Sequence, residues 1–231
     1  MSSLLCLKGI CKHFGYRKIL ENINFNIEPG EFVILVGNNG AGKSTLLRII
    51  SSLSKPTRGN IFFKGKNQRE VFLLWLKKMG YISEETQLYG DLNSIDNLRL
   101  HGTFHEIRDL NLKIKDVLSK IDLINFSKIP IRKFSNGMKK RLMIGKLMLY
   151  QPEILILDEP YSGLDQKSIK WFKSYLYDFN KKGGTVLMVT HQFEQGVEMA
   201  NRVLVLKNKK IQTNITTNGL NSEQLSSWLE E

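Results

Sequence analysis

One segment, residues 37–45, constrains the fold more than any other, because it reads Gly-Asn-Asn-Gly-Ala-Gly-Lys-Ser-Thr. An apolar run that is typical of a buried strand, Phe32–Val36, precedes it, and a helical pattern, Thr45–Ile50, follows. A strand, the pattern G-x-x-x-x-G-K-[ST] and a helix, in this order, are typical of a phosphate-binding loop. The segment therefore predicts an α/β fold with a triphosphate at the end of one strand.

The chemistry of the loop explains its composition. Glycines adopt backbone angles that let successive N–H groups surround one anion, and the following helix directs its positive end to the same place. Lys43 adds a cation for the outer phosphates, and the Ser44 hydroxyl can bind Mg²⁺. The predicted phosphate-binding residues are Gly37, Asn38, Asn39, Gly40, Ala41, Gly42, Lys43, Ser44 and Thr45.

The composition of the chain is that of a soluble globular protein. It has 231 residues, of which 42% are hydrophobic and 24% charged. The sequence has no apolar run near the ~18 residues that a membrane span needs and no signal-peptide pattern at its start, so we expect a cytosolic protein. Cys6 and Cys11 lie five positions apart in a strand pattern without metal-ligating neighbours, and both are expected to be free thiols.

The net charge of +12 has two interpretations. One is a solvated basic surface, and the other is contact with an anionic membrane or with RNA or DNA. The local clusters are Lys139-Lys140-Arg141 and Lys207, Lys209 and Lys210. Because neither alternates with aromatic residues, no nucleic-acid groove is predicted.

The order of elements predicts one domain over residues 1–231 with a helical insertion. Residues 1–83 are rich in strand patterns, and the alternation Ile23, Phe25, Ile27 and the turn signal 28–31 favour an N-terminal antiparallel part. Residues 84–150 show helical spacing, and residues 151–231 alternate strands with helices, as parallel sheets do. The predicted nucleotide-binding core is thus 1–83 and 151–231, with a helical subdomain at 84–150. The end of the chain, Ser222–Leu229, reads as a docking helix.

Two carboxylates end a second buried strand pattern. Asp158 and Glu159 directly follow Ile154–Leu157. In open α/β sheets the ligand lies at the carboxyl ends of the strands, which would bring Asp158 near the Mg²⁺ of the phosphate loop. Glu159 could then polarise the attacking water as a general base.

A further turn precedes this strand at Ser135-Asn136-Gly137. Alone it is either a small anion nest or an ordinary helix cap. Followed in order by Asp158-Glu159-Pro160, Ser162-Gly163-Leu164-Asp165 and Thr190-His191, it makes the chain resemble the ATP-binding-cassette ATPases over nearly all of residues 3–212. The resemblance implies a P-loop NTPase (RecA-like) parallel sheet core, an N-terminal antiparallel β part and an inserted α-helical subdomain.

The resemblance also assigns roles to single residues. Phe14 falls where the family places an aromatic that stacks on adenine, with Tyr16 as a nearby alternative. Ser135 and Gly137 match the signature motif that contacts the γ-phosphate of the other subunit, and Asp165 matches a loop that crosses the dimer interface. The residues that match the family's catalytic and Mg²⁺ positions are Lys43, Asp158, Glu159 and the switch histidine His191.

Two positions depart from the family pattern. Where the family usually has a glutamine at the entry to the helical block, this chain has Glu84. A carboxylate is also a hard oxygen ligand, so we expect Mg²⁺ contact to persist, although its charge disfavours a nearby phosphate. The signature reads Phe-Ser-Asn-Gly-Met, and Met138 lacks the hydrogen-bonding groups of the usual glutamine. These departures favour an exporter of the multidrug or haem-exporter type and put the hydrolysis rate in question.

The expected function is that of an ATP-hydrolysing subunit of a transporter. With one cassette and no span, it would need a separate membrane permease and a second ATPase subunit, identical or paired, at the cytoplasmic face of the membrane. Two alternatives stay open. One is a soluble cassette ATPase that acts on ribosomes or nucleic acid. The other is a GTPase, which the incomplete guanine motif Asn180-Lys181-Lys182-Gly183 disfavours.

Overall fold

The computed structural model describes residues 3–83, 87–190 and 198–217. The elements of the first part are β1 (Leu5–Phe14), β2 (Arg17–Ile27), β3 (Phe32–Val36), α1 (Lys43–Ile50), β4 (Arg58–Phe63), β5 (Lys66–Asn67), α2 (Phe72–Lys78) and β6 (Met79–Ile82). Those that follow are α3 (Ser94–Phe104), α4 (Leu110–Lys120), α5 (Asn136–Tyr150), β7 (Ile154–Asp158), α6 (Gln166–Lys181), β8 (Thr185–Val189), β9 (Arg202–Lys207) and β10 (Lys210–Thr216). Two short 3-10 turns, Ile124–Phe126 and Ile131–Lys133, connect α4 to α5.

The larger of two sheets is mainly parallel. Its strand order is β10-β9-β3-β8-β7-β6. Strand β3 pairs in parallel with both β8 and β9, β7 pairs in parallel with β8, and β10 adds an antiparallel edge. All residues of β3, β7 and β8 are buried, because sheets of this kind are covered on both faces. The predicted parallel core is confirmed.

The smaller sheet is antiparallel, with the order β2-β1-β4-β5. Strand β1 lies at its centre, so that Leu5 pairs with Ile27 on one side and with Phe63 on the other. The alternation in β2 buries Ile23 and Ile27 completely. The predicted N-terminal antiparallel part is also confirmed.

The described residues divide into two compact units. The first takes in those of 1–81, 153–160 and 177–231. Its core is formed by both sheets and by the buried face of α1, and it includes the fully buried Trp75, whose ring meets that of Phe63 edge-on at 5.1 Å. This unit holds the phosphate loop and the end of β7 in one framework.

The second unit takes in residues 82–152 and 161–176. Its core joins α3, α4 and α5. Gly145 of α5 packs tightly against side chains at the end of α4, because an added Cβ would lie 2.8 Å from the Cδ1 of Ile121 and 3.0 Å from the Cγ1 of Val117. The helices expected within 84–150 are therefore present.

Three regions differ from the sequence predictions or lie beyond the description. Strand patterns were expected up to residue 83, but Phe72–Lys78 is a helix, and β10 was not predicted. The helix expected at Ser222–Leu229 lies outside the described residues.

No helix in the described ranges is long and apolar enough to cross a membrane. Cys6 and Cys11 are free thiols.

Candidate functional site

The phosphate loop connects β3 directly to α1, and two of its glycines are needed where they stand. Gly37 has φ +151°, and a Cβ there would overlap the carbonyl oxygen of Leu206 in β9. Gly42 caps α1 with φ +106°, and a Cβ there would lie 2.9 Å from the Cδ2 of Leu20. Only glycine combines these angles with such close neighbours. Strand β9 and the N-terminal sheet thus fix the two ends of the loop.

Lys43, the first residue of α1, points its ammonium group back into the loop. Its Nζ donates hydrogen bonds to the carbonyl oxygens of Gly37 at 2.6 Å and Asn38 at 3.1 Å. Burial lowers the pKa of Lys43, while the carboxylates of Glu159 and Asp158 act in the opposite direction and raise it. A cation is therefore held inside the loop and in the field of the two acids that the sequence singled out.

Asp158 contacts Ser44, at the end of the phosphate loop. As the last residue of β7 it is buried, and its Oδ1 accepts a hydrogen bond from the Ser44 hydroxyl at 3.2 Å. In the described ranges no three His, Cys, Asp or Glu side chains form a metal cluster. A hydroxyl and a carboxylate side by side still fit Mg²⁺, which takes one or two protein oxygens and completes its shell with phosphate and water.

Glu159 stands on an unusual backbone. Its φ is +48°, in the left-handed region, and its N–H donates to the carbonyl of Val189 at 3.0 Å. Few residues other than glycine adopt this region, and doing so costs about 1–3 kcal/mol. The carboxylate that follows Asp158 is therefore carried by a turn that the neighbouring strand β8 holds in place.

A cleft of about 580 Å³ lies beside the loop. Four basic residues and Tyr16, which is fully exposed, contribute to its walls. The lining residues are Tyr16, Arg17, Lys18, Ile19, Asn38, Asn39, Gly40, Ala41, Leu206, Lys207, Asn208 and Lys209. Lys207 and Lys209 were predicted only as members of a basic cluster, because their proximity to the loop depends on the pairing of β9 with β3.

The two aromatic candidates for adenine stacking have different surroundings. Phe14 is 57% exposed and is not among the residues that line the cleft. Instead, the Nζ of Lys12 lies 4.8 Å from the centre of its ring. Tyr16 does line the cleft, so the geometry favours it over Phe14 as the stacking residue.

Ser135 and Gly137 lie in the second unit, at the start of α5. The hydroxyl of Ser135 accepts the N–H of Met138 at 3.2 Å, so Ser135 caps the helix. A Cβ at Gly137 would lie 3.4 Å from the Gly163 carbonyl oxygen, a tight contact. Asp165 similarly accepts the Ser168 N–H at 2.8 Å, and hydrogen bonding to Ser168 lowers its pKa.

Two predicted site residues cannot be placed, and one predicted surface cluster changes. Glu84 and His191 lie outside the described residues. Lys140 was grouped with its neighbours as a basic cluster, but its side chain is buried, with 4% exposed. Its Nζ donates a hydrogen bond to the backbone carbonyl oxygen of Ser83 at 3.2 Å, a contact that the periodicity of an amphipathic helix does not predict.

Comparison with known proteins supports the resemblance. A family model described as ABC transporter matches residues 20–162, more than half of the chain. The chain belongs to the ABC transporter family. A curated relative, the lantibiotic transport ATP-binding protein SrtF of Streptococcus pyogenes, is 36% identical to this ABC protein over 208 residues, which are 90% of the chain and 89% of SrtF.

Solved structures support the same family. A structure of an ATP-binding subunit of an ABC transporter matches with a TM-score of 0.90 and 27% identity, covering 99% of this chain and all of that one. A dimeric, post-hydrolysis structure of the cassette MJ0796 bound to ADP and Pi matches with a TM-score of 0.84 and 26% identity, covering 94% of this chain and all of that one. This member of the family is thus an ATP-binding, ATP-hydrolysing subunit.

Proposed function

We propose that this ABC ATPase is one of two cassettes that close around ATP and thereby drive a separate membrane permease. The observation that carries the proposal is the hydrogen bond between Ser44 and Asp158, because it joins the phosphate loop to the acid-bearing end of β7. The dimeric state of the similar cassette MJ0796 supports the second subunit. Two copies of this chain, or this chain and a paired subunit, would form the dimer.

ATP would bind with its phosphates in the loop from Gly37 to Thr45. The N–H groups at the start of α1 and the ammonium of Lys43 supply the positive potential. The neighbouring cleft would take the nucleoside, with Tyr16 or Phe14 stacked on adenine. The lysines of the cleft and Arg17 would attract the negatively charged ATP at long range.

Mg²⁺ would be held by Ser44 and Asp158, with Glu84 as an expected third ligand. When bound, the ion would neutralise part of the phosphate charge. The hydrogen bond of 3.2 Å between the Ser44 hydroxyl and Asp158 supports this, because it brings the two oxygen donors close enough to bind one ion. The Asp158 side chain is only 6% exposed, so its carboxylate is buried beside the phosphate loop.

Hydrolysis would depend on Glu159 as general base. The carboxylate would accept a proton from a water molecule whose oxygen forms a bond to the γ-phosphorus as the bond to the β-phosphate oxygen breaks, leaving ADP and inorganic phosphate. His191 would contact the γ-phosphate and this water. Ser135 and Gly137 would close the site of the other subunit, so a monomer should bind ATP and hydrolyse it poorly.

The cargo would be exported. Support comes from SrtF, a relative named for lantibiotic transport, and from the departures at Glu84 and Met138. Since the described residues offer no helix that could cross a membrane, the permease would be another polypeptide, with this subunit peripheral on its cytoplasmic face. Binding energy for ATP in the closed dimer would then supply the work of opening the permease.

The test is nucleotide binding and turnover by the purified protein. We expect tight ATP binding, Mg²⁺-dependent release of phosphate that rises more than linearly with protein concentration, and no RNA binding at moderate salt. Preference for GTP would contradict the assignment of the nucleotide, and salt-sensitive RNA binding at submicromolar concentration would favour the soluble alternative. Turnover strictly proportional to protein concentration at all dilutions would contradict the shared site.

A further inference from the structure

Helix α2 is apolar on almost every side. Its first five residues are Phe-Leu-Leu-Trp-Leu, and two lysines follow them. Because successive residues of a helix are rotated by about 100°, these five side chains point in directions all round the axis. Such a composition is typical of helices that are covered on every side. We therefore expect α2 to contact more than the core of its own unit.

The core covers one side of α2. Trp75 is fully buried, and its ring meets that of Phe63 in β4 edge-on at 5.1 Å. On the other sides Phe72, Leu73 and Leu74 are 45%, 66% and 46% exposed, and these three residues are called the α2 patch. Within the described ranges, no other three successive large apolar side chains are exposed. Contiguous exposed apolar side chains, unlike single ones, mark a site of interaction.

Both ends of α2 are fixed to the rest of the first unit. Just before the helix, the Nε2 of Gln68 donates a hydrogen bond of 2.7 Å to the carbonyl oxygen of Ile50, at the end of α1. At the other end, Glu153 forms ion pairs with Lys78 at 3.1 Å and with Lys64 of the β4–β5 turn at 2.6 Å. The helix cannot rotate the α2 patch into the core without breaking these contacts, so the patch is presented on a rigid support.

Basic residues surround the α2 patch. Residues 64–78 include one acidic residue, Glu70, and five basic ones, which are Lys64, Lys66, Arg69, Lys77 and Lys78. With Glu153 counted as well, five basic residues stand against two acidic ones, so the region carries a net positive charge. Lys77 comes one helical turn after Leu73 and lies on the same outer face. Apolar side chains bordered by lysine and arginine are typical of elements that lie on anionic membrane surfaces.

Two other occupants of the α2 patch fit these observations less well. A second copy of this chain would bring two basic regions together, in a protein whose net charge is +12. A stable protein partner needs about 800 Å² on each side, more than three partly exposed side chains provide. A lipid surface has no such minimum, because each apolar side chain that enters it adds its own transfer free energy.

We propose that α2 is a membrane-contact element, whose patch enters the headgroup region of an anionic bilayer while the basic residues of 64–78 lie at the lipid phosphates. The apolar side chains then leave water, and the positive charges meet the negative surface potential of the lipids. The inference goes beyond the proposed function and does not depend on it, since neither ATP nor a permease takes part in the contact.

The first experiment measures sedimentation of the full chain, without nucleotide, with vesicles of phosphatidylcholine alone or mixed with phosphatidylglycerol. We expect binding to the anionic vesicles that salt weakens, and a partition coefficient that falls about tenfold in Leu73→Ser, because an exposed leucine no longer enters the lipid. Leu112→Ser is the matched control, since Leu112 is 72% exposed on α4. Its partition coefficient should not change. The Tm of both variants should stay the same, because neither side chain is buried.

Two results of this experiment would overturn the proposal. Equal losses in Leu73→Ser and Leu112→Ser would mean that α2 has no special role. A protein that stays in the supernatant with both kinds of vesicle would leave another protein as the occupant of the α2 patch. Light scattering tests the remaining occupant, because a nucleotide-free dimer that Leu73→Ser converts to a monomer would show that a second copy covers the patch.

The second experiment separates the charge near α2 from the general charge of the protein. Arg69→Gln should weaken binding to anionic vesicles about fivefold, since one basic side chain near the lipid surface is lost. Lys115→Gln, exposed on α4, is the control and should bind like the unsubstituted chain. Equal losses in the two variants, or equally tight binding to neutral vesicles, would overturn the proposal. Failure of the proposed function would appear separately, as absence of Mg²⁺-dependent phosphate release.

Discussion

The hydroxyl of Ser44 donates a hydrogen bond of 3.2 Å to the Oδ1 of Asp158, although the two residues are 114 positions apart in the chain. The contact exists because β3, which leads into the phosphate loop, and β7, which ends at Asp158, both pair with β8 in the same direction. The carboxyl ends of these strands meet at one edge of the sheet. The two oxygens are therefore adjacent in the folded chain.

Ser44→Ala and Asp158→Asn should each raise the Mg²⁺ concentration that half-maximal ATP hydrolysis requires by about tenfold, since each removes an oxygen donor. The double variant should need little more than the worse single one, because both donors serve one ion. Mg²⁺ titration of phosphate release measures this. Ser119→Ala, exposed on α4, is the control, and fully additive effects would contradict a shared ion.

Lys43→Ala should weaken ATP binding by at least about a hundredfold, because an ammonium–phosphate contact and the organisation of the loop are lost together. The hydrogen bonds of Nζ to Gly37 and Asn38 show that the same group also ties the loop together. Equilibrium titration with a fluorescent ATP analogue measures the affinity. Lys66→Ala, in the exposed β5 hairpin, should bind like the unsubstituted chain. Equal affinity in both variants would remove Lys43 from the site.

Glu159→Gln should reduce hydrolysis by roughly 10²- to 10⁴-fold and leave ATP binding intact, because the amide retains the shape but cannot take the proton. The backbone bond of Glu159 to Val189 does not involve the side chain and should persist. Size-exclusion chromatography with ATP should then show an accumulated dimer. Glu70→Gln, on an exposed turn, serves as control. Turnover at the unsubstituted rate would exclude Glu159 as the base.

Gly37→Ala should lower the free energy of unfolding by about 3 kcal/mol, since the new methyl group meets the backbone of Leu206. Gly40→Ala is a matched control with a left-handed backbone but open space around it, and should cost only about 1 kcal/mol. Urea unfolding at constant m-value compares the two variants. Equal losses would mean that the contact with β9 is unimportant.

Tyr16→Ala should weaken ATP binding about tenfold, whereas Phe14→Ala should change it little. Aromatic stacking on a base is worth about 1–3 kcal/mol, and Tyr16, unlike Phe14, lines the cleft beside the loop. Competition of ATP with inorganic triphosphate separates the base from the phosphates. The opposite ranking of the two variants would restore the original assignment of Phe14.

Much of the sheet could be predicted from the sequence, because its strands are short, wholly apolar and bounded by turns. The strand Phe32–Val36 has the predicted bounds, and the pattern Ile154–Leu157 is extended by one residue to Asp158. The helix Phe72–Lys78 was missed because a short apolar run has no clear period, and only packing of Trp75 against Phe63 decides it. Strand β10 was missed because it has no buried residue.

The candidate site, like the sheet, could be predicted from the sequence only in part. Ser44 and Asp158 could be paired in advance, because motif and strand end both carry a local pattern. The cleft residues Lys207 and Lys209 could not, since they reach the loop only through the register of β9 on β3. The burial of Lys140 could not be predicted either, because its contact with the Ser83 carbonyl oxygen depends on how the chain folds around α5.

The position of β3 between β8 and β9 has a consequence for how the protein folds during its synthesis. On the ribosome, the phosphate loop emerges early, but the two strands that flank its own strand are among the last elements to be made. Until then Phe32–Val36 is an apolar segment without neighbours, and the carbonyl of Leu206 that shapes Gly37 does not yet exist. A nascent chain therefore carries the complete motif for most of its synthesis before the strands that flank β3 in the sheet exist.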